Sequence, residues 1–160
     1  MPPRVYVETS VISYLAARPS RDLITAARQQ ITHEWWRRRR PNFEVFVSQL
    51  VLDEARAGDP DTATRRAELL ANSPLLDITS VSVGLARRLI EEVSLPPPAA
   101  AVALHISTAA FHGVDYLLTW NAAQIANAEF RPRVERTCRA HGYEPPVLCT
   151  PDELMGEQTT

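Results

Sequence analysis

Short apolar, β-branched runs alternate with helical patterns along this chain. No other feature constrains the fold as strongly. Residues 5–8, 44–48, 75–79, 116–120 and 147–149 each read as a short strand. Between them, residues 21–38 contain neither Gly nor Pro and repeat Leu23, Ala26, Ala27, Ile31 and Trp35 at helical spacing. Residues 50–57 predict a shorter helix stopped at Gly58. Asp61 is placed to cap a helix through Leu70. Residues 82–93 repeat Leu85, Ala86, Leu89, Ile90 and Val93. Pro96, Pro97 and Pro98 break the chain before a helix that runs through Phe111 and stops at Gly113. Asn121 is placed to cap a last long helix reaching about Gly142. Strands alternating with helices predict a parallel sheet covered on both faces, a three-layer α/β/α domain of about five strands. No repeat or linker divides the chain, so residues 1–155 read as one domain and 156–160 as a flexible tail.

Composition narrows the chemistry. A chain of 160 residues suits a single core. A net charge of −2 provides no overall positive field for nucleic acid. All 17 basic residues are arginine, which excludes Schiff-base and P-loop mechanisms that need lysine. It also argues against a receiver domain, another α/β fold with acids after its first strand, because that family uses a lysine. Cys138 and Cys149 have neither metal-knuckle nor redox-pair spacing and read as buried thiols in a reducing compartment. No apolar run approaches the roughly 18 residues of a membrane span. The chain enters a strand at once with no signal-peptide layout, so the expectation is a cytoplasmic protein.

In open parallel sheets, ligands gather beyond the carboxyl ends of the strands. That rule puts Glu8, ending the first strand, and Asn121, just after the fourth, on one rim. Several acids gathered there repel one another unless a cation neutralises them. Hard cations such as Mg²⁺ take oxygen ligands.

Four segments carry a more specific signal. They are Tyr6-Val7-Glu8-Thr9-Ser10-Val11-Ile12, Gln49-Leu50-Val51-Leu52-Asp53-Glu54-Ala55, Ala101-Val102-Ala103-Leu104-His105 and Tyr116-Leu117-Leu118-Thr119-Trp120-Asn121. Together they resemble the signature blocks of PIN-domain proteins, the metal-dependent ribonucleases that include VapC-type toxins of toxin–antitoxin pairs. The resemblance covers roughly residues 4–155. It implies that Glu8 and Glu54 hold Mg²⁺ or Mn²⁺ and that Asn121 assists catalysis. Thr9, Ser10, Thr119 and His105 are implied as supporting residues. It also implies an RNA substrate, a small antitoxin partner that covers the acidic groove, and a homodimer.

Two departures stand out. Where the pattern has an aspartate before Ala-Leu-His, this chain has Val102, and no acid lies between Glu92 and Asp115. Gln124 stands where members of the subgroup that shares the Glu-Thr-Ser text often carry His. His105 reads either as a helper three residues along the same helix face or as a core histidine. Asp53 competes with Glu54, about 100° away around the helix. Arg37, Arg38, Arg39 and Arg40 follow Trp35 and Trp36, either as a phosphate patch with an aromatic platform or as basic residues at a helix C-terminus. Asp115 reads as a turn residue at the far end of strand four. The competing functions are a PIN-like protein that binds RNA or protein without cutting, and a generic small-molecule-binding domain. The last predicts no acidic pocket at the strand ends.

Overall fold

A computed structural model describes residues 1–95, 98–121 and 123–156. Five strands, β1 (Arg4–Val7), β2 (Glu44–Ser48), β3 (Leu75–Leu76), β4 (Tyr116–Leu118) and β5 (Val147–Cys149), form one sheet in the order β3-β2-β1-β4-β5. Every pairing is parallel. Seven α-helices flank it among the described residues: α1 (Thr9–Ala16), α2 (Leu23–Glu34), α3 (Gln49–Ala55), α4 (Pro60–Leu70), α5 (Ser80–Val93), α6 (Ala99–Phe111) and α7 (Arg131–Ala140). The helices pack as two groups, α1 with α2, α3 and α4, and α5 with α6 and α7. The fold is therefore the expected α/β/α arrangement around a parallel sheet of five strands.

β1 is central and buried, as are β4 beside it and most of α6. Successive strand residues point to opposite faces, so Tyr6 and Glu8 share one face of β1 while Val5 and Val7 share the other. The chain leaves β1 toward β2 and β3 on one side and returns to β4 and β5 on the other. The crevice at the carboxyl ends of β1 and β4 is the switch point where such sheets bind ligands. Register sets what meets there. Val7 pairs with Leu118, so Glu8 and Thr119 emerge side by side.

Several local expectations change. The helix through Leu70 is capped by Asp59, whose carboxylate accepts the Thr62 amide at 3.0 Å, with Pro60 in the first turn; Asp61 lies inside the helix. The third strand spans only Leu75–Leu76, because Thr79 is taken as the N-cap of α5 in a capping box with Ser82. The fourth strand ends at Leu118, with Thr119 and Trp120 turned over to side-chain contacts. The long helix expected from Asn121 does not form as one piece. Asn121 caps a turn, Asn127 accepts the Glu129 amide at 2.8 Å in a second turn, and α7 starts at Arg131 with Pro132 in its first turn. Leu23 is 86% exposed, and α2 buries Gln29 and Thr32 instead, each hydrogen-bonded. Past α2 the backbone widens into a π turn over Trp35–Arg39, which puts Trp35 in the core. The Pro96 and Pro97 break and tail residues 157–160 lie outside the described residues.

Candidate metal centre

The Glu-Thr-Ser triplet explains how two carboxylates are held by one helix start. Glu8 is the N-cap of α1, and its Oε2 accepts the Ser10 amide at 3.1 Å. Its Oε1 accepts the Ser10 hydroxyl at 2.5 Å and the Thr119 hydroxyl at 2.6 Å. The neighbouring hydroxyl, Thr9, points to a different acid and donates to Glu54 Oε1 at 2.6 Å. Adjacent residues of a first helical turn thus fix carboxylates from two separate elements. Ser10 and Thr119 are fixed in turn: the Trp120 amide donates to Ser10 Oγ at 2.8 Å, and the Asn121 amide to Thr119 Oγ1 at 2.9 Å. The Trp120 indole N–H donates to Thr32 at 2.7 Å, tying the rim to α2.

His105 joins this group. It is 2% exposed, and its Nε2 lies 2.7 Å from Glu54 Oε1. A carboxylate only accepts, so Nε2 carries the proton and donates. On the other side, Nδ1 lies 2.6 Å from the Tyr6 hydroxyl, which is itself 2.8 Å from Ser48 Oγ. With neutral imidazole the chain runs Ser48 to Tyr6 to His105 to Glu54, every donor finding an acceptor. Burial pushes the Tyr6 hydroxyl far above the usual tyrosine range, so it stays protonated. Half-burial alone would raise Glu54, but the hydrogen bonds from His105 and from the Thr9 hydroxyl outweigh it. The carboxyl ends below its ordinary value.

Glu8, Glu54 and His105 present one ligand atom each, all within 4.8 Å of one another. Glu8 is 6% exposed, yet only neutral hydroxyl and amide groups reach it, and no ion pair among the described residues includes it. A buried carboxylate without a counter-ion is costly, and metal coordination is one of the two usual compensations. The donors therefore fit a divalent cation.

The remaining sequence candidates divide. Glu54 rather than Asp53 turns to the site; Asp53 is exposed and takes the Gln49 amide at 2.8 Å. Asn121 stands on the expected rim, but its side chain is engaged with Gln124, donating at 2.8 Å and accepting the Gln124 amide at 3.2 Å. Val102, 2% exposed, sits one turn before His105 on α6. Asp115 accepts the Arg4 amide at 2.8 Å at the amino end of β4, as expected of a turn residue.

The arginine run lies away from the carboxylates. Arg37–Arg40 lead into the amino end of β2, whereas Glu8 and Glu54 follow the carboxyl ends of β1 and β2. A strand of four residues separates those rims by about 13 Å. Arg38 pairs with Glu34 at 2.6 Å, Arg39 covers Phe43, and Arg40 stacks 4.4 Å from the Trp36 ring. Arg38, Arg39 and Arg40 thus each have a partner on the helix end or its aromatics.

Tyr6 and Ser48 were not singled out by sequence. The available signal was parity: Tyr6 shares a face with Glu8, and a tyrosine in a buried strand needs a partner for its hydroxyl. Cys138 and Cys149 are free and buried. Among the described residues, no helix is long and apolar enough to cross a membrane. No model of a known protein family matches the chain, and no curated protein matches it.

Proposed function

We propose that this protein is a metal-dependent ribonuclease of the PIN type, acting as the toxin of a toxin–antitoxin pair. One observation carries the proposal: Glu8, Glu54 and His105 meet at the switch point of a parallel α/β sheet, on the sequence blocks that resemble that family. A bound divalent cation, Mg²⁺ or Mn²⁺ by the resemblance, supplies water activation and charge neutralisation at a phosphodiester. Ser10 and Thr119 hold Glu8 in one rotamer, and Thr9 and His105 do the same for Glu54. Such positioning lowers the reorganisation needed to reach a productive geometry. An RNA substrate, a small antitoxin, a homodimer and a cytoplasmic location belong to the same proposal.

The test is cleavage of single-stranded and structured RNA with Mn²⁺ by wild type, Glu8→Ala and Glu54→Ala. Cleavage by wild type alone supports the enzyme. A second reading, an RNA- or protein-binding scaffold without cleavage, draws on Val102 and on the Asn121 amide being engaged with Gln124. RNA retention without cleavage by wild type, with cleavage by Val102→Asp, favours it. A generic small-molecule domain did not predict the cluster of Glu8, Glu54 and His105.

A further inference from the structure

The Val102 departure suggests a site short of one ligand, but one turn along the same helix His105 reaches Glu54. The donor set is thus two carboxylates and an imidazole, not carboxylates alone. That difference is chemical. Mg²⁺ takes oxygen ligands, gives up water reluctantly and gains little from nitrogen. Imidazole suits iron, nickel, copper and zinc, and affinity for such donors rises from Mn²⁺ through Co²⁺.

The surroundings of His105 support a ligand role. Metal-bound histidines usually donate their other ring N–H to a fixed partner, which sets the tautomer. Here that partner is the buried Tyr6 hydroxyl, backed by Ser48. Without metal, Nε2–H donates to Glu54 and Nδ1 accepts from Tyr6. With Nε2 offered to a cation, the proton resides on Nδ1 and donates to Tyr6 Oη, whose own O–H turns to Ser48 Oγ. Both states carry the same number of protons, and a tyrosine hydroxyl can donate or accept. Glu8, the other carboxylate of the cluster, is buried and accepts only neutral donors, from Ser10 and Thr119, and no cationic side chain among the described residues reaches it.

We propose that Glu8, Glu54 and His105 form a mixed carboxylate–imidazole centre selective for late first-row transition-metal dications over Mg²⁺, with Tyr6 and Ser48 as the hydroxyl clamp that orients His105. The inference deepens the proposed function and rests on its metal site, not on RNA cleavage.

The experiment is calorimetric titration of the chelator-stripped full chain with Mg²⁺, Mn²⁺, Co²⁺ and Zn²⁺, with the visible spectrum recorded for Co²⁺. The expected result is Co²⁺ and Zn²⁺ binding at least about 100-fold tighter than Mg²⁺, with Mn²⁺ between. His105→Asn should lower Co²⁺ affinity more than about tenfold and leave that for Mg²⁺ within about threefold, and Tyr6→Phe should lower Co²⁺ affinity about 10-fold. Wild type also decides the matter alone, should His105→Asn fail to fold. Electron-spin-echo spectra of the Mn²⁺ form, with natural and ¹⁵N-labelled histidine, must show a coordinated nitrogen. His33, His112 and His141 lie outside the cluster. Equal affinity for Mg²⁺ and Co²⁺, the absence of a nitrogen coupling, or failure of all four cations to bind overturns the inference. RNA cleavage assayed in parallel keeps the readings apart. Selective Co²⁺ binding without cleavage sinks the nuclease and leaves the centre. Cleavage with unselective binding does the reverse.

Discussion

Tyr6→Phe tests whether the buried relay behind His105 holds the site together. The substitution keeps the ring and its packing, so no cavity opens and the cost comes from hydrogen bonds alone. The hydroxyl makes two, to Ser48 Oγ at 2.8 Å and to His105 Nδ1 at 2.6 Å, and Tyr6 is fully buried. Each bond contributes about 1 kcal/mol net, and stranding a buried partner adds a desolvation penalty of about 1–3 kcal/mol. Recovered desolvation of the lost hydroxyl offsets part of this, leaving a destabilisation of about 2–4 kcal/mol. Against a typical total of about 5–15 kcal/mol, that is a large fraction. In urea, with a slope of about 2 kcal/mol/M, the midpoint should fall by about 1–2 M with the slope unchanged. Ser48→Ala removes one partner and leaves Tyr6 bonded to His105, so it should cost only about 0.5–1.5 kcal/mol. The reasoning fails if Tyr6→Phe moves the midpoint by less than about 0.3 M. It also fails if Ser48→Ala costs as much as Tyr6→Phe.

Three further outcomes follow from the same contacts. Val102→Asp places a carboxylate at a 2%-exposed position and should destabilise the metal-free protein by about 2–4 kcal/mol. Mn²⁺ should then raise the melting temperature more than it does in wild type, and equal increments would show that Val102 does not face the metal. The Glu54 carboxyl lies below its ordinary value in the folded protein, so between the two values the unfolded chain binds more protons. Its stabilisation is present above the ordinary carboxylate range and is lost as pH falls through the folded value. Glu54→Gln should therefore flatten the acid limb of a urea-midpoint-against-pH curve measured in chelator, and an unchanged limb contradicts the assignment. Burial pushes the Cys138 thiol up to about 11 and the Cys149 thiol up to about 12. Neither should react with a disulfide reagent at about pH 8 until the chain unfolds. Because the folded values are raised, this contribution is present below the ordinary thiol range and declines as pH climbs toward the folded values. Rapid labelling of a native thiol would refute the burial argument.

Much of the architecture was legible because its causes are local. The runs at 5–8 and 44–48 are β-branched and apolar, and residues 82–93 repeat at a helical period. Both patterns report burial within a few residues of themselves. The same locality misled where polar residues were buried. Leu23 fits the apolar stripe of α2, but the side of the helix turned to the Trp120 indole and the chain near Arg18 carries Thr32 and Gln29, which go inward while Leu23 stays exposed. The residues after Asn121 have helical composition, but Asn127 satisfies a nearby amide and turns the chain.

At the candidate site, Glu8 and Glu54 could be singled out from sequence because each lies in a recognisable block. The split work of Thr9 and Ser10 could not, because it depends on where α3 lies against the start of α1. The arginine run read either as a phosphate patch or, by preference, as a helix end, and strand direction separates it from the carboxylates.

The sequence by itself determined an α/β chain with parallel strands, an acid ending its first strand, and no lysine for any chemistry to use. Those properties follow from periodicity and composition, which need no knowledge of distant residues. Only the tertiary structure decided that His105 meets Glu54 and Tyr6. That encounter joins positions 6, 54 and 105 across β1, α3 and α6. It depends on sheet order, register and helix rotation together, and a shift in any one would leave the imidazole a buried core histidine.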